Sequence, residues 1–192
     1  MSTVKSKKLQ VGTDATASNN FTIYQPSTPD GTLRIGVGNA DSPTEVGRFT
    51  SAGYKPATAP AFNAKSTSNT TVNSSTSTKL LATDEIFDTA SCYDASNSRF
   101  TPNVAGYYLI TSTTVVPDTS TTYYANFAVW KNGSLSIEYY GGGGNGSSFY
   151  TNTASYLVYL NGTTDYVELY CYSSRTGGVG VRQFAGHLVQ QA

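Results

Sequence analysis

Along most of this chain apolar and polar positions alternate in runs of about five to ten residues, with no run at helical spacing. Gly, Asn, Pro and Ser break the runs. Phe62 to Lys65, Glu85 to Asp88, Cys92-Tyr93, Arg99 to Thr101, Tyr107 to Val116 and Ala125 to Lys131 read as strands. So do Ser134 to Tyr140, Ser155 to Leu160, Tyr166 to Tyr172 and Val181 to Val189. Pro102, Asn103 and Gly106 make a sharp corner between two of them. Asn132-Gly133 and Asn161-Gly162 close two hairpins, because both residue types tolerate the positive φ of a type I′ turn. Taken as a two-residue turn, Asn132-Gly133 sets Trp130 against Leu135 and Ala128 against Ile137. The Ser/Thr/Asn-rich stretch Ser66 to Thr78 has no apolar pattern and reads as a surface loop. The pattern predicts an all-β sandwich or jelly roll over residues 61–192.

The first 55 residues read differently. Leu9 to Val11, Phe21 to Gln25, Leu33 to Val37 and Arg48 to Thr50 look like short strands, and "LQVG" at Leu9 recurs as "LRIG" at Leu33. Asp30-Gly31 supplies a tight turn. This module has too few apolar residues to bury a core alone, so a partner surface is expected to hold it. The residues available for that docking are Val4, Leu9, Val11, Phe21, Ile23, Leu33 and Ile35. Lys5, Lys7 and Lys8 would steer it to an acidic patch. Ser51 to Phe62, with Pro56 and Pro60, reads as an extended connector. The expected division is therefore a β-rich docking module over 1–55, a Pro-rich linker over 56–60 and a β domain over 61–192.

Several strands of the second domain are apolar on both faces. Phe127, Val129 and Tyr140 face one way in the first hairpin, Trp130 and Leu135 the other. "YLVYL" at Tyr156 does the same. A strand between core and water should alternate, so a second copy of the chain is the expected cover.

Composition narrows the chemistry. The 192 residues carry 12 basic and 12 acidic side chains, a net charge of zero, and charged residues make up only 12%. No nucleic-acid groove, polybasic membrane surface or membrane-inserting span is expected. Cys92 and Cys171 are expected as buried free thiols. The N-terminal stretch lacks the apolar run of a secretion signal, which suggests a cytoplasmic folding compartment. His187 is the single histidine, so no His-based triad or His cluster is available. "GGGGNG" (Gly141 to Gly146) has the spacing of a dinucleotide loop but no helix to follow, and reads as a flexible surface loop. Asp84, Glu85, Asp88 and Asp94 could offer oxygen ligands to calcium, but nothing fixes them together. No catalytic residue, cofactor or metal is assigned.

Taken in order, "PAFNA" (Pro60 to Ala64), Ile86-Phe87-Asp88, Phe100-Thr101-Pro102 with Gly106-Tyr107-Tyr108, "KNG" at Lys131, "LNGTTDYVEL" (Leu160 to Leu169) and "FAGHLV" (Phe184 to Val189) resemble the globular head of complement C1q, which shares the tumour necrosis factor jelly roll. The resemblance implies a ten-stranded jelly roll that packs as a trimer. With the two-sided strands, it makes Phe62, Tyr107, Tyr108 and Phe184 the interface candidates, one of the two tyrosines filling the core while the other meets a neighbour. No collagen stalk precedes this head. Instead, Gly31 to Tyr54 looks like the β-rich stems of tailed-phage fibre and decoration proteins.

These resemblances imply a non-enzymatic homotrimer at the virion surface, assembled in the host cytoplasm. Its first module would dock on a major capsid or tail protein, with capsid decoration ahead of tail fibre. Its head would project towards a host surface receptor, glycan or protein. The alternative is a soluble C1q-like adhesin or lectin outside any virion.

Overall fold

The computed structural model describes residues 6–57, 59–116, 123–144 and 150–192. Val4, Lys5, Asn145 and Gly146 lie outside the described residues. The chain divides into two units, Met1–Thr58 and Ala59–Ala192.

The first unit is one antiparallel sheet in chain order: β1 (Lys8–Val11), β2 (Phe21–Tyr24), β3 (Leu33–Val37), β4 (Thr44–Thr50) and β5 (Gly53–Pro56). Gly53–Pro56, expected as part of a connector, is instead an edge strand with Tyr54 opposite Phe49. An edge position suits Pro56, whose missing N–H needs no ladder partner there. The loops are pinned by Asn20. Its Nδ2 donates to the Asp14 carbonyl at 2.8 Å and to Asn39 Oδ1 at 2.7 Å, and its Oδ1 accepts the Asp14 N–H.

The second unit holds twelve strand segments among its described residues. They are β6 (Ala61–Lys65), β7 (Thr70–Val72), β8 (Thr78–Lys79), β9 (Asp84–Asp88), β10 (Tyr93–Asp94) and β11 (Arg99–Phe100). Then come β12 (Ala105–Val116), β13 (Tyr123–Lys131), β14 (Ser134–Gly144), β15 (Tyr150–Asn161), β16 (Val167–Ser173) and β17 (Gly177–Gln191). Two six-stranded sheets result. One runs β15-β12-β17-β6-β9, with β7 on the far end of β17. The other runs β10-β11-β16-β13-β14, with β8 on β16. Residues 66–78, expected to be loop throughout, contribute both β7 and part of β8, and Val72 is fully buried. Its burial against β17 overrides the polar composition around it. Gly141 to Gly144, expected as loop, extend β14. Gly143 and Gly144 pair with Tyr124 and Tyr123, so the partner strand's hydrogen bonds hold a sequence of low strand propensity.

The core lies between the sheets around five aromatic rings. Phe62 stacks on Phe100 at 4.5 Å and on Tyr93 at 4.7 Å between ring centres, and meets Phe184 edge-on at 5.0 Å. Tyr108 lies edge-on to Phe100, and its hydroxyl donates to the Val104 carbonyl at 2.6 Å. Phe62, Tyr108 and Phe184, proposed from sequence as interface residues, are thus core residues, each 1% exposed or less. They occupy the inward phase of their strands and meet the opposite sheet of their own chain. Tyr107, one residue out of phase, points outward and is 45% exposed. The hairpin register differs as well. A bulge between Val129 and Trp130 sets Val129 opposite Ile137 and Ala128 opposite Glu138, while Trp130 stays opposite Leu135.

Candidate functional site

Two apolar surfaces stand out, one on each unit. In the first unit the register collects the apolar residues of all five strands on one face. Leu9, Ile23 and Ile35 align across β1, β2 and β3, and the row continues through Gly47 and Pro56. Val11, Phe21 and Val37 form a second row. Leu33, Phe49 and Tyr54 form a third. Residues two apart share a face, so the three rows are continuous. The six described docking candidates, Leu9, Val11, Phe21, Ile23, Leu33 and Ile35, are all brought together here. Val37, Phe49 and Tyr54 were missed from sequence. The alternation Leu33-Ile35-Val37 would have found the first.

The opposite face carries the row Lys8, Tyr24, Arg34, Arg48 and Lys55. Arg34 bridges Asp30 at 2.6 Å and Glu45 at 3.2 Å, and Arg48 reaches Glu45 at 2.6 Å. The Thr32 hydroxyl and the Arg34 guanidinium hold the Asp30 carboxyl down to about 2. Lys8 donates to the Ala40 carbonyl. Arg34 and Arg48 are thus paired on this face, while the three rows of the apolar face hold no charged residue.

In the second unit the outer face of the β15-β12-β17-β6-β9 sheet is poor in charge. Tyr107 lies beside Tyr159, ring centres 5.5 Å apart, and Leu109 beside Leu157. Leu109 continues to His187 and Ala61, and Thr111 continues to Ala185, Asn63 and Phe87. Leu157 is 53% exposed, and Phe87, Tyr159 and Val189 are also open to solvent. Sequence reasoning named only Tyr107 as an interface residue here, although it read Tyr156 to Leu160, which carries Leu157 and Tyr159, as apolar on both faces. The phase shared by Tyr107 and Leu109, and by Leu157 and Tyr159, is the signal that identifies the rest.

The outer face of the other sheet pairs its groups internally. Glu168, almost fully buried, accepts from Lys79 Nζ at 2.6 Å and from Arg99 Nε at 2.8 Å. The Arg99 guanidinium lies 3.8 Å from the centre of the Tyr166 ring, and Trp130 stacks on Tyr170 at 4.1 Å.

The acids weighed as calcium ligands are held separately. Asp88 accepts the Ala90 and Tyr93 N–H groups, Asp94 caps Ser96 and Asn97, and Asp84 pairs with Lys65 at 3.4 Å. No group of three or more potential ligand side chains gathers among the described residues. Cys92 and Cys171 are free and buried, and burial pushes the Cys171 thiol up to about 12.

No family model matches the sequence. No curated protein matches it either. Solved structures do resemble its fold. The globular domain of zebrafish complement 1qA protein superposes with a TM-score of 0.56 at 14% identity, over 69% of this chain and 99% of that one. Murine APRIL at pH 5.0 gives 0.50 at 10% identity, over 69% and 100%. With its two facing antiparallel sheets, its aromatic core and these neighbours, the second unit has the C1q/TNF-type jelly-roll fold.

Proposed function

We propose that this chain is a non-enzymatic structural protein of a tailed-phage virion, displayed at the virion surface as a homotrimer. Its head projects, and residues 1–55 anchor it to a capsid or tail protein. The observation that carries the reading is the first unit: a five-stranded sheet with one mainly apolar, uncharged face and, among residues 6–57, not one fully buried apolar side chain. A single layer of this kind needs a cover from outside its own unit, whether a particle protein or further copies of the chain, so in either case it serves assembly. The exposed apolar face around Tyr107 and Leu157 supports association of heads, and threefold closure suits the positions such proteins occupy. A head that projects this way would offer its remaining surface to a host glycan or protein.

The test has two parts. Light scattering of the full chain should give three times its 20.4 kDa mass, and Tyr107→Glu with Leu157→Glu should make the trimer dissociate at a higher protein concentration than the wild type. Quantitative mass spectrometry of the virions whose genome encodes the chain should find it in multiples of three, at high copy for capsid and low copy for tail. Its absence from purified particles would overturn the virion reading.

A further inference from the structure

We propose that the apolar face of the β1–β5 sheet is covered by the same face of two further copies of this chain, so that three sheets enclose one shared core. The inference rests on the trimer reading above. It also reassigns Leu9, Phe21, Ile23, Leu33 and Ile35 from contact with the particle to contact between copies.

The first argument is burial. The buried positions among residues 6–57 are Asn20, Thr22, Gly36, Gly38 and Gly47, so none of the apolar side chains described there is fully buried, and only Ile35, Val37 and a few others are half-buried. Three rows of Leu, Val, Ile, Phe and Tyr cannot remain in water as the face of a stable sheet.

The second argument is what kind of surface fits. None of the three rows contains a charged residue, whereas the reverse face holds Lys8, Arg34, Arg48 and Lys55. A complementary surface must be apolar and uncharged. The face itself has those properties, and three copies meeting symmetrically leave no unpaired charge in the core.

The third argument is size. With Leu9, Phe21, Phe49 and Tyr54 each about half exposed or more, the face offers on the order of 700 Å² per copy. That is near the roughly 800 Å² per partner of a standard stable interface.

The last argument is tethering. β5 ends at Pro56 and β6 begins at Ala61. The five residue steps from Pro56 to Ala61 span at most about 18 Å. Each sheet is thus held within that reach of its own head, so a trimer of heads gathers three sheets at an effective concentration on the order of millimolar. A particle protein then meets the charged face and the sheet edges.

The experiment uses the full chain with one cysteine added. Ile35→Cys places a thiol in the middle row of the apolar face, and Lys55→Cys places one on the charged face as control. The native thiols are buried. Under mild oxidation the Ile35→Cys protein should run as a covalent dimer plus monomer, because three thiols around an axis leave one unpaired. Lys55→Cys should stay monomeric on the gel. Maleimide should label the Ile35→Cys thiol at least about tenfold more slowly than the Lys55→Cys thiol, as expected for a site opened only by local unfolding. A trimer by light scattering whose two added thiols label equally fast overturns the inference and leaves the trimer reading standing. A monomer by light scattering overturns the trimer reading itself. A monomer with a slow Ile35→Cys thiol overturns the inference by showing that the chain covers its own face.

Discussion

Phe62 and Tyr107 are both aromatic strand residues, but one faces the opposite sheet and the other faces out. Phe62→Ala removes a ring packed against three others and should cost about 3–5 kcal/mol in denaturant unfolding, as large core truncations do. Tyr107→Ser should leave the unfolding midpoint of the monomer within about 0.5 kcal/mol and act on association instead. If Tyr107→Ser unfolds the head as Phe62→Ala does, the assignment of faces is wrong. The two cysteines make a separate prediction. Burial raises both thiols, Cys171 to about 12, so neither should react with a disulfide reagent at neutral pH until the head unfolds. Titration in native buffer and in denaturant, read by absorbance, should show no thiol and then two.

At the scale of elements, the two Asn-Gly turns are tied to each other. Asn132 donates to Asp165 Oδ1 and accepts the Tyr166 N–H. Asp165 Oδ2 accepts the Asn161 N–H and pairs with Lys131 at 2.8 Å. Asn161 Oδ1 in turn accepts the N–H groups of Thr163, Thr164 and Asp165. Lys131, then Asn132, holds the Asp165 carboxyl below its ordinary value of 3.8. A carboxyl lowered in the folded state stabilises fully above that value and loses its contribution as pH falls through the folded value. Wild type should therefore exceed Asp165→Asn in stability at about pH 6, and the gap should shrink as the pH falls below the ordinary carboxyl value of 3.8, measured by urea unfolding. A gap that persists undiminished in acid would show that the charge is irrelevant. The first turn was legible in the sequence because Asn132 and Gly133 take positive φ, which few residues accept. Asn161-Gly162, expected to close a second hairpin, instead carries the chain across from one sheet to the other: only Gly162 takes positive φ, and β15 and β16 lie in different sheets. The strand register beside the first turn was not legible, because nothing in the residue types announces the bulge at Val129 and Trp130. Nor does alternation alone say which phase faces inward. That is why Phe62, Tyr108 and Phe184 looked as available as Tyr107. The glycines of β14 and the prolines around β5 misled for the opposite reason, since pairing with a neighbour overrode their low propensity.

At the scale of the whole molecule, one position in the larger topology has a consequence for how the head is made. β17 sits in the middle of its sheet, between β12 and β6, yet it is the last strand of the head in chain order. A ribosome delivers β6 with β9, and β12 with β15, long before the strand that joins those two pairs. Until β17 inserts, Phe62 lacks Phe184, Val72 lacks the strand that shields it, and each pair exposes an unpaired edge. The head therefore cannot complete its core until β17 has emerged. Its closure is made of contacts distant in sequence, the kind that forms slowly. Stalled chains ending before Gly177 should be captured by chaperones and cut by protease, while chains that include β17 resist. Protease resistance of a chain stalled before that point would mean that the strands preceding β17 suffice.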